Sequence, residues 1–198
     1  MKNEDYKHLN IPTKIYIIGV NHHIQHNGRC PADERLKPLD HLRSEFRVFI
    51  LEQIGKYIPD LLAEEFNGEA LKQRKVDASI LSDIGMKMNI KHAFVDPNSD
   101  ERKTLGIYND ESEYCETQGN RMLKYSEIDR AMQDSKSKRE EYWFEHILAE
   151  HPKIIVFVRG AEHIDTFASS TKQKGWDTFI INAYYEETKY NILISKGC

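Results

Sequence analysis

The sequence predicts an α/β fold: a mostly parallel central sheet flanked by helices, with a site at the carboxyl-terminal edge of the strands. Three observations carry this. Short apolar runs alternate with longer amphipathic stretches along the chain. Two of the runs, Ile15-Tyr16-Ile17-Ile18 and Ile154-Ile155-Val156-Phe157-Val158, are continuous and largely β-branched, as strands buried on both faces require. The links between runs and helical stretches are short, and strands joined through helices in a β-α-β-α-β order pair in parallel. At 198 residues the chain suits a single domain spanning 1–198, long enough to bury a real core.

The elements follow in order. The first run ends at Gly19. From Arg43 to Ile58, the residues Phe46, Phe49, Ile50, Ile54, Tyr57 and Ile58 recur at helical spacing, with Ser44 expected as the N-cap and Pro59 as the stop. Leu61-Leu62-Ala63 forms the second run. A helix over about 67–82 is expected before the third run, Ala93-Phe94-Val95. From Asp110 to about Lys138 the chain turns polar and reads as an insertion of loop and weak helix over the mouth of the domain. KREEYWFEHILAEH is a strong helix with Trp143, Phe144 and Ile147 facing inward, ended by Pro152. After the fourth run, Ala161 to Gly175 fits a helix closed by its glycine. Phe179-Ile180-Ile181 is the fifth run, and the tail EETKYNILISKGC offers either an edge strand or a contact between two copies.

Composition narrows the function classes. The chain is 39% hydrophobic and 30% charged, against ~45–50% and ~25% in common soluble domains. Three cysteines, without a CxxC pair, exclude a disulfide scaffold and point to a reducing, cytoplasmic setting. No apolar run approaches the ~18 residues of a membrane span, and the N-terminus lacks the apolar stretch of a signal peptide. A net charge of −4 gives no basic field for nucleic acid. Neither GxxxxGK[ST] nor GxGxxG occurs. The expected partner is therefore a small-molecule or peptide substrate, with neither nucleic acid nor membrane; self-association is left open. Nine histidines, able to do acid–base or metal chemistry near neutral pH, are the remaining compositional signal.

Ligands of open α/β sheets bind beyond the carboxyl ends of the strands, so the residues following each run are the candidates. They are Asn21-His22-His23, Glu64-Glu65-Phe66-Asn67, Asp96-Pro97-Asn98 and Arg159-Gly160-Ala161-Glu162-His163. Four ends thus carry His, Glu, Asp and His. The two histidines share the pattern G-x-x-H, as Gly19-Val20-Asn21-His22 and Gly160-Ala161-Glu162-His163. In each, the glycine is expected to permit a sharp turn, from which the histidine projects over the sheet edge. Glu64 and Glu65 should point to opposite sides, so only one enters the site, and Glu65 is preferred.

These paired motifs resemble the TIKI/TraB superfamily, which includes erythromycin esterase-like proteins and ChaN-like, haem-binding proteins. The resemblance covers about Lys14 to Asn182. It includes an acid after the second strand (Glu64 or Glu65) and a helix with an Arg-acid pair ahead of a bulky residue, here Arg139-Glu140 and Trp143. It implies a hydrolase of amide or ester bonds, or alternatively a non-catalytic ligand- or haem-binding module or a regulatory protein of the same fold. Two chemistries stand side by side. Two imidazoles and one or two carboxylates suit Zn, Mn or Co, with His22, Glu65, His163 and Asp96 as ligands and a metal-bound water as nucleophile. Without metal, His22 acts as general base oriented by Glu65, with His163 as its companion, while Arg139 stabilises the oxyanion.

The other candidates have plainer readings. Asp96 before Pro97 is as well placed to cap a turn as to enter a site. His23 and His26 read as loop residues, and His8, His41, His92, His146 and His151 as surface or packing residues. Arg102 reads as a solvated charge, and Cys30 is a weak nucleophile candidate.

Overall fold

The computed structural model describes residues 14–26, 39–119, 121–160 and 164–185. The elements are β1 (Lys14–Val20), α1 (Leu39–Tyr57), β2 (Leu61–Glu64), α2 (Gly68–Gln73), α3 (Ile80–Met88), β3 (Lys91–Phe94), α4 (Ser99–Leu105), α5 (Glu111–Thr117), α6 (Tyr125–Ala149), β4 (Ile154–Arg159), α7 (Ile164–Gln173) and β5 (Asp177–Tyr185). All five apolar runs of the sequence lie in or against these strands. The sheet is five-stranded, in the order β3-β2-β4-β1-β5, with every pairing parallel.

This order creates a switch point. After β1 the chain moves outward to β2 and β3, then β4 returns into the gap between β2 and β1. From β4 it crosses β1 in the other direction to reach β5. In open α/β sheets, neighbouring strands whose crossovers leave in opposite directions mark where ligands bind, and β1 and β4 are such a pair. The residues following those ends are His22 and Gly160.

Period-two alternation sorts the strand side chains into two core layers. Ile18, Val20, Leu62, Val156 and Val158 pack with Phe46 and Ile50 of α1 and Ile80 and Ile84 of α3. Ile15, Ile17, Leu61, Ala63, Ile155 and Phe157 face Trp143, Phe144 and Ile147 of α6 and Phe167 of α7. Continuing the alternation by one residue sends Glu64 to the α1/α3 side. Glu65, and Arg159 two residues beyond Phe157, go to the α6/α7 side.

The helices depart from expectation in three places. Ser44 does not cap α1, which begins at Leu39; its hydroxyl donates back to the Asp40 carbonyl at 2.9 Å from inside the helix. The expected helix over 67–82 is two, because Lys75 takes a left-handed conformation (φ 53°). Asn67 caps α2 by accepting from Ala70 N, and Ser79 caps α3 by accepting from Ser82 N. The polar stretch 110–138 is not mainly loop: α5 occupies its start, and from Tyr125 onward it is the first half of α6. Its anchor is Ser135, which donates to the Tyr108 carbonyl (3.0 Å) and accepts from the Tyr108 amide (2.8 Å). The C-terminal tail lies outside the described residues.

Candidate functional site at the carboxyl edge of the sheet

The site is organised around one buried carboxylate. Glu65 directly follows β2 and is 2% exposed. Its Oε2 accepts from the Gly160 amide at 2.8 Å and lies 3.7 Å from Arg159 Nε, while Oε1 lies 3.2 Å from Arg139 Nη2. Burial by itself pushes such a carboxyl up. Here the charges of Arg139, Arg159 and His22, with the Gly160 amide, outweigh burial and hold Glu65 below its ordinary range.

Arg139, on α6, joins two strand ends. Its Nε and Nη2 bind Asp96 Oδ1 and Oδ2 at 2.6 and 2.9 Å, a bidentate pair, while Nη2 also faces Glu65. Burial lowers the Arg139 pKa, but Glu65 and Asp96 overcome that and raise it, so the guanidinium stays charged. Trp143, one turn along the helix, donates its Nε1–H to Asp96 Oδ1 at 3.1 Å. Asp96 is therefore no turn cap; Asn98 caps α4 instead, accepting from Asp100 N and Glu101 N. Asp96 also borders a cleft of about 540 Å³ whose walls include Asn67, Glu69, Lys72, Phe94 and Tyr142.

His22 stands over the switch point. The turn carrying it is closed by Ile24 N to Asn21 O (2.9 Å) and by His23 N to Asn21 Oδ1 (3.0 Å). His22 Nδ1 lies 3.1 Å from Gln25 Oε1. Its Nε2 points to Gly160: a Cβ built there would fall 2.9 Å from His22 Nε2 and 3.3 Å from Glu65 Oε2. The imidazole and the carboxylate thus meet across the space that Gly160 leaves empty.

The glycines of the two G-x-x-H patterns serve differently from what a sharp turn requires. Neither is among the residues with positive φ. A Cβ on Gly19 would fall 2.0 Å from the Ala183 carbonyl oxygen and 2.1 Å from Ile164 Cδ1, so this position admits β5 and α7. Gly160 makes room for the side chains of His22 and Glu65.

Glu64 joins a separate clasp on the opposite face. Its Oε1 accepts from the Ser79 hydroxyl and lies 2.7 Å from His92 Nε2. His92 is thus no plain packing residue. His23 and His26 face α2 rather than the crevice, with Arg74 Nη1 3.4 and 3.3 Å from their ring nitrogens. Arg102 binds Asn109 at the surface. His163 and Cys30 lie outside the described residues.

From sequence, Arg159 is named at the fourth strand end without a role, and Gln25 is not singled out at all. Arg159 is fully buried, its guanidinium 4.5 Å over the Trp143 ring, and burial lowers its pKa to about 10 against the pull of Glu65 and Glu140. Glu140, buried, accepts from Thr166 Oγ1 at 2.5 Å, and burial raises its carboxyl. The one hint for Arg159 was its position two residues past Phe157 in an apolar strand, which alternation turns inward.

Of the four side chains expected to hold a divalent metal, His22, Glu65 and Asp96 are described and His163 is not. Among the described residues no three His, Cys, Asp or Glu side chains are grouped to hold an ion. The two carboxylates expected as ligands, Glu65 and Asp96, share the Arg139 guanidinium, whose charge would oppose a cation between them. No family model, curated protein or solved structure matches the chain. Among the described residues no helix is long and apolar enough to cross a membrane.

Proposed function

We propose that the protein hydrolyses an amide or ester bond without a metal, using His22 as general base. The observation that carries this reading is the approach of His22 Nε2 and Glu65 Oε2 to the same empty position at Gly160. A base must reach a water proton from a fixed direction, and Gln25 and the turn fix this ring. His22 Nε2 takes a proton from water, and the resulting hydroxide attacks the substrate carbonyl carbon. Glu65 compensates the imidazolium that forms. The Arg139 guanidinium, held by Asp96 through Nε and Nη2, supplies the positive charge that stabilises the developing oxyanion. His22 then returns the proton to the departing alkoxide or amine, so a carboxylic acid and an alcohol or amine leave. The cleft beside Asp96 gives the acyl or leaving group a place to lie.

The test is a panel of chromogenic esters and anilides assayed with the wild-type chain and His22→Ala. Loss of about 10²-fold or more in kcat, with the melting temperature kept, is the expected result. Turnover that survives in His22→Ala overturns the reading. So does a haem absorption band on titration with no hydrolysis anywhere in the panel, which favours the ligand-binding alternative.

A further inference from the structure

Gln25 is 1% exposed, and its position is fixed from both sides: the Ile80 amide donates to its carbonyl at 2.7 Å, and its own amide reaches the His22 carbonyl at 3.3 Å. Among the described residues its side chain makes one hydrogen-bond contact, Oε1 to His22 Nδ1 at 3.1 Å, while Nε2 is buried with no partner. A buried amide that satisfies only one end is desolvated without full return. An apolar side chain of similar size would fill the same space without that penalty. The amide's merit therefore lies in what Oε1 does to His22.

An amide oxygen only accepts, so Nδ1 must carry the hydrogen. The same bond persists when the ring is protonated, because Nδ1–H is present in both states. The proton that comes and goes is then the one on Nε2, the nitrogen facing Gly160 and Glu65. The opposite neutral tautomer would place two lone pairs, Nδ1 and Oε1, against each other.

We infer that Gln25 is a positioning residue that locks His22 in its Nδ1–H tautomer and so presents Nε2 as the base. Its catalytic meaning rests on the hydrolase reading, but the tautomer does not.

The experiment uses the full chain labelled with ¹⁵N-histidine, with the ring nitrogens of His22 read by long-range ¹H–¹⁵N correlation above its titration and assigned against His22→Ala. Wild type is expected in the Nδ1–H form. Gln25→Leu should become a tautomer mixture while its melting temperature holds or rises. Gln25→Glu, which keeps the acceptor, should keep the Nδ1–H form and move the His22 titration to higher pH. Where an ester is turned over, Gln25→Leu should lose about tenfold to a hundredfold in kcat with KM little changed. An Nε2–H ring in wild type, or a tautomer indifferent to Gln25→Leu, overturns the inference; should Gln25→Leu not fold, an unmoved titration in Gln25→Glu overturns it. Absence of all hydrolysis with the Nδ1–H form intact defeats the hydrolase reading and leaves Gln25's role standing.

Discussion

Arg139 grips Asp96 through two near-parallel bonds of 2.6 and 2.9 Å and, with the same Nη2, reaches Glu65 at 3.2 Å. One guanidinium on α6 therefore ties the carboxyl ends of β2 and β3 together. Geometry of this kind depends on the planar fork rather than on charge alone. Arg139→Lys keeps the charge but has one nitrogen to offer. We expect it to lose about 10²-fold in kcat, the scale of one missing oxyanion donor, and to destabilise the fold by ~1–3 kcal/mol. Ester kinetics and urea unfolding check the two halves independently. A Lys variant with full activity and stability would show that the fork does not matter.

Glu65 gives a pH-dependent prediction whose sign follows from its environment. Burial opposes ionisation, yet Arg139, Arg159 and His22 hold its folded-state pKa below the ordinary carboxylate value. A depressed pKa contributes stability that is present above the unfolded-state value and is lost as pH falls through the folded one. Stability should therefore drop on the acid side of about pH 4.5, the ordinary glutamate range. Glu65→Gln removes that acid limb and leaves two buried guanidiniums short of a counter-charge, at a cost of ~3–5 kcal/mol near neutral pH. Unfolding free energies measured from pH 3 to 8 test this. Parallel curves for the two proteins would refute it.

The carboxylate next door should behave differently. Glu64 points to the α1/α3 side, where Ser79 and His92 hold it, and Ser79 also caps α3. Ser79→Ala removes both the cap and the donor to Glu64. The expected loss is ~1–2 kcal/mol of stability with turnover unchanged. A matching fall in kcat would mean that this clasp reaches the site.

How far the chain could be read follows from where each signal lives. The inner strands β1, β2 and β4 were legible because burial on both faces demands unbroken apolar runs, and alternation alone separates Glu64 from Glu65. The first half of α6 was not legible: its residues from Tyr125 to Lys138 are mostly polar, and Ser135 ties it to the Tyr108 backbone. Neither was the split between α2 and α3, which turns on the backbone of Lys75. Arg159 and Gln25 were hidden for another reason. A polar side chain reads as solvent-facing unless its partner is known: Glu65 lies far along the chain from Arg159, and Gln25 meets His22 only through the local turn. Arg139, Asp96 and Glu65 came forward because each follows a strand or opens a helix pattern; their mutual pairing is visible only in three dimensions.

The two glycines of the repeated G-x-x-H pattern should fail in opposite ways, and that contrast tests the site most directly. At Gly19 an added methyl would meet the Ala183 carbonyl oxygen at 2.0 Å and Ile164 Cδ1 at 2.1 Å. The first is backbone of a paired strand and cannot swing aside, so Gly19→Ala must part β1 from β5 or shift α7. A loss of several kcal/mol, or no folded protein, is expected, since overpacking a close-packed core costs ~1–3 kcal/mol even where neighbours give. At Gly160 the methyl would meet His22 Nε2 at 2.9 Å, the far end of a half-buried side chain, and Glu65 Oε2 at 3.3 Å. His22 can rotate away by breaking one bond to Gln25. Gly160→Ala should therefore fold with its stability lowered by about 1 kcal/mol, the worth of that bond, while hydrolysis falls as far as in His22→Ala. Thermal unfolding and ester turnover on the two variants decide it: equal effects of both substitutions on stability, or an active Gly160→Ala, would mean that His22 and Glu65 do not work across this gap.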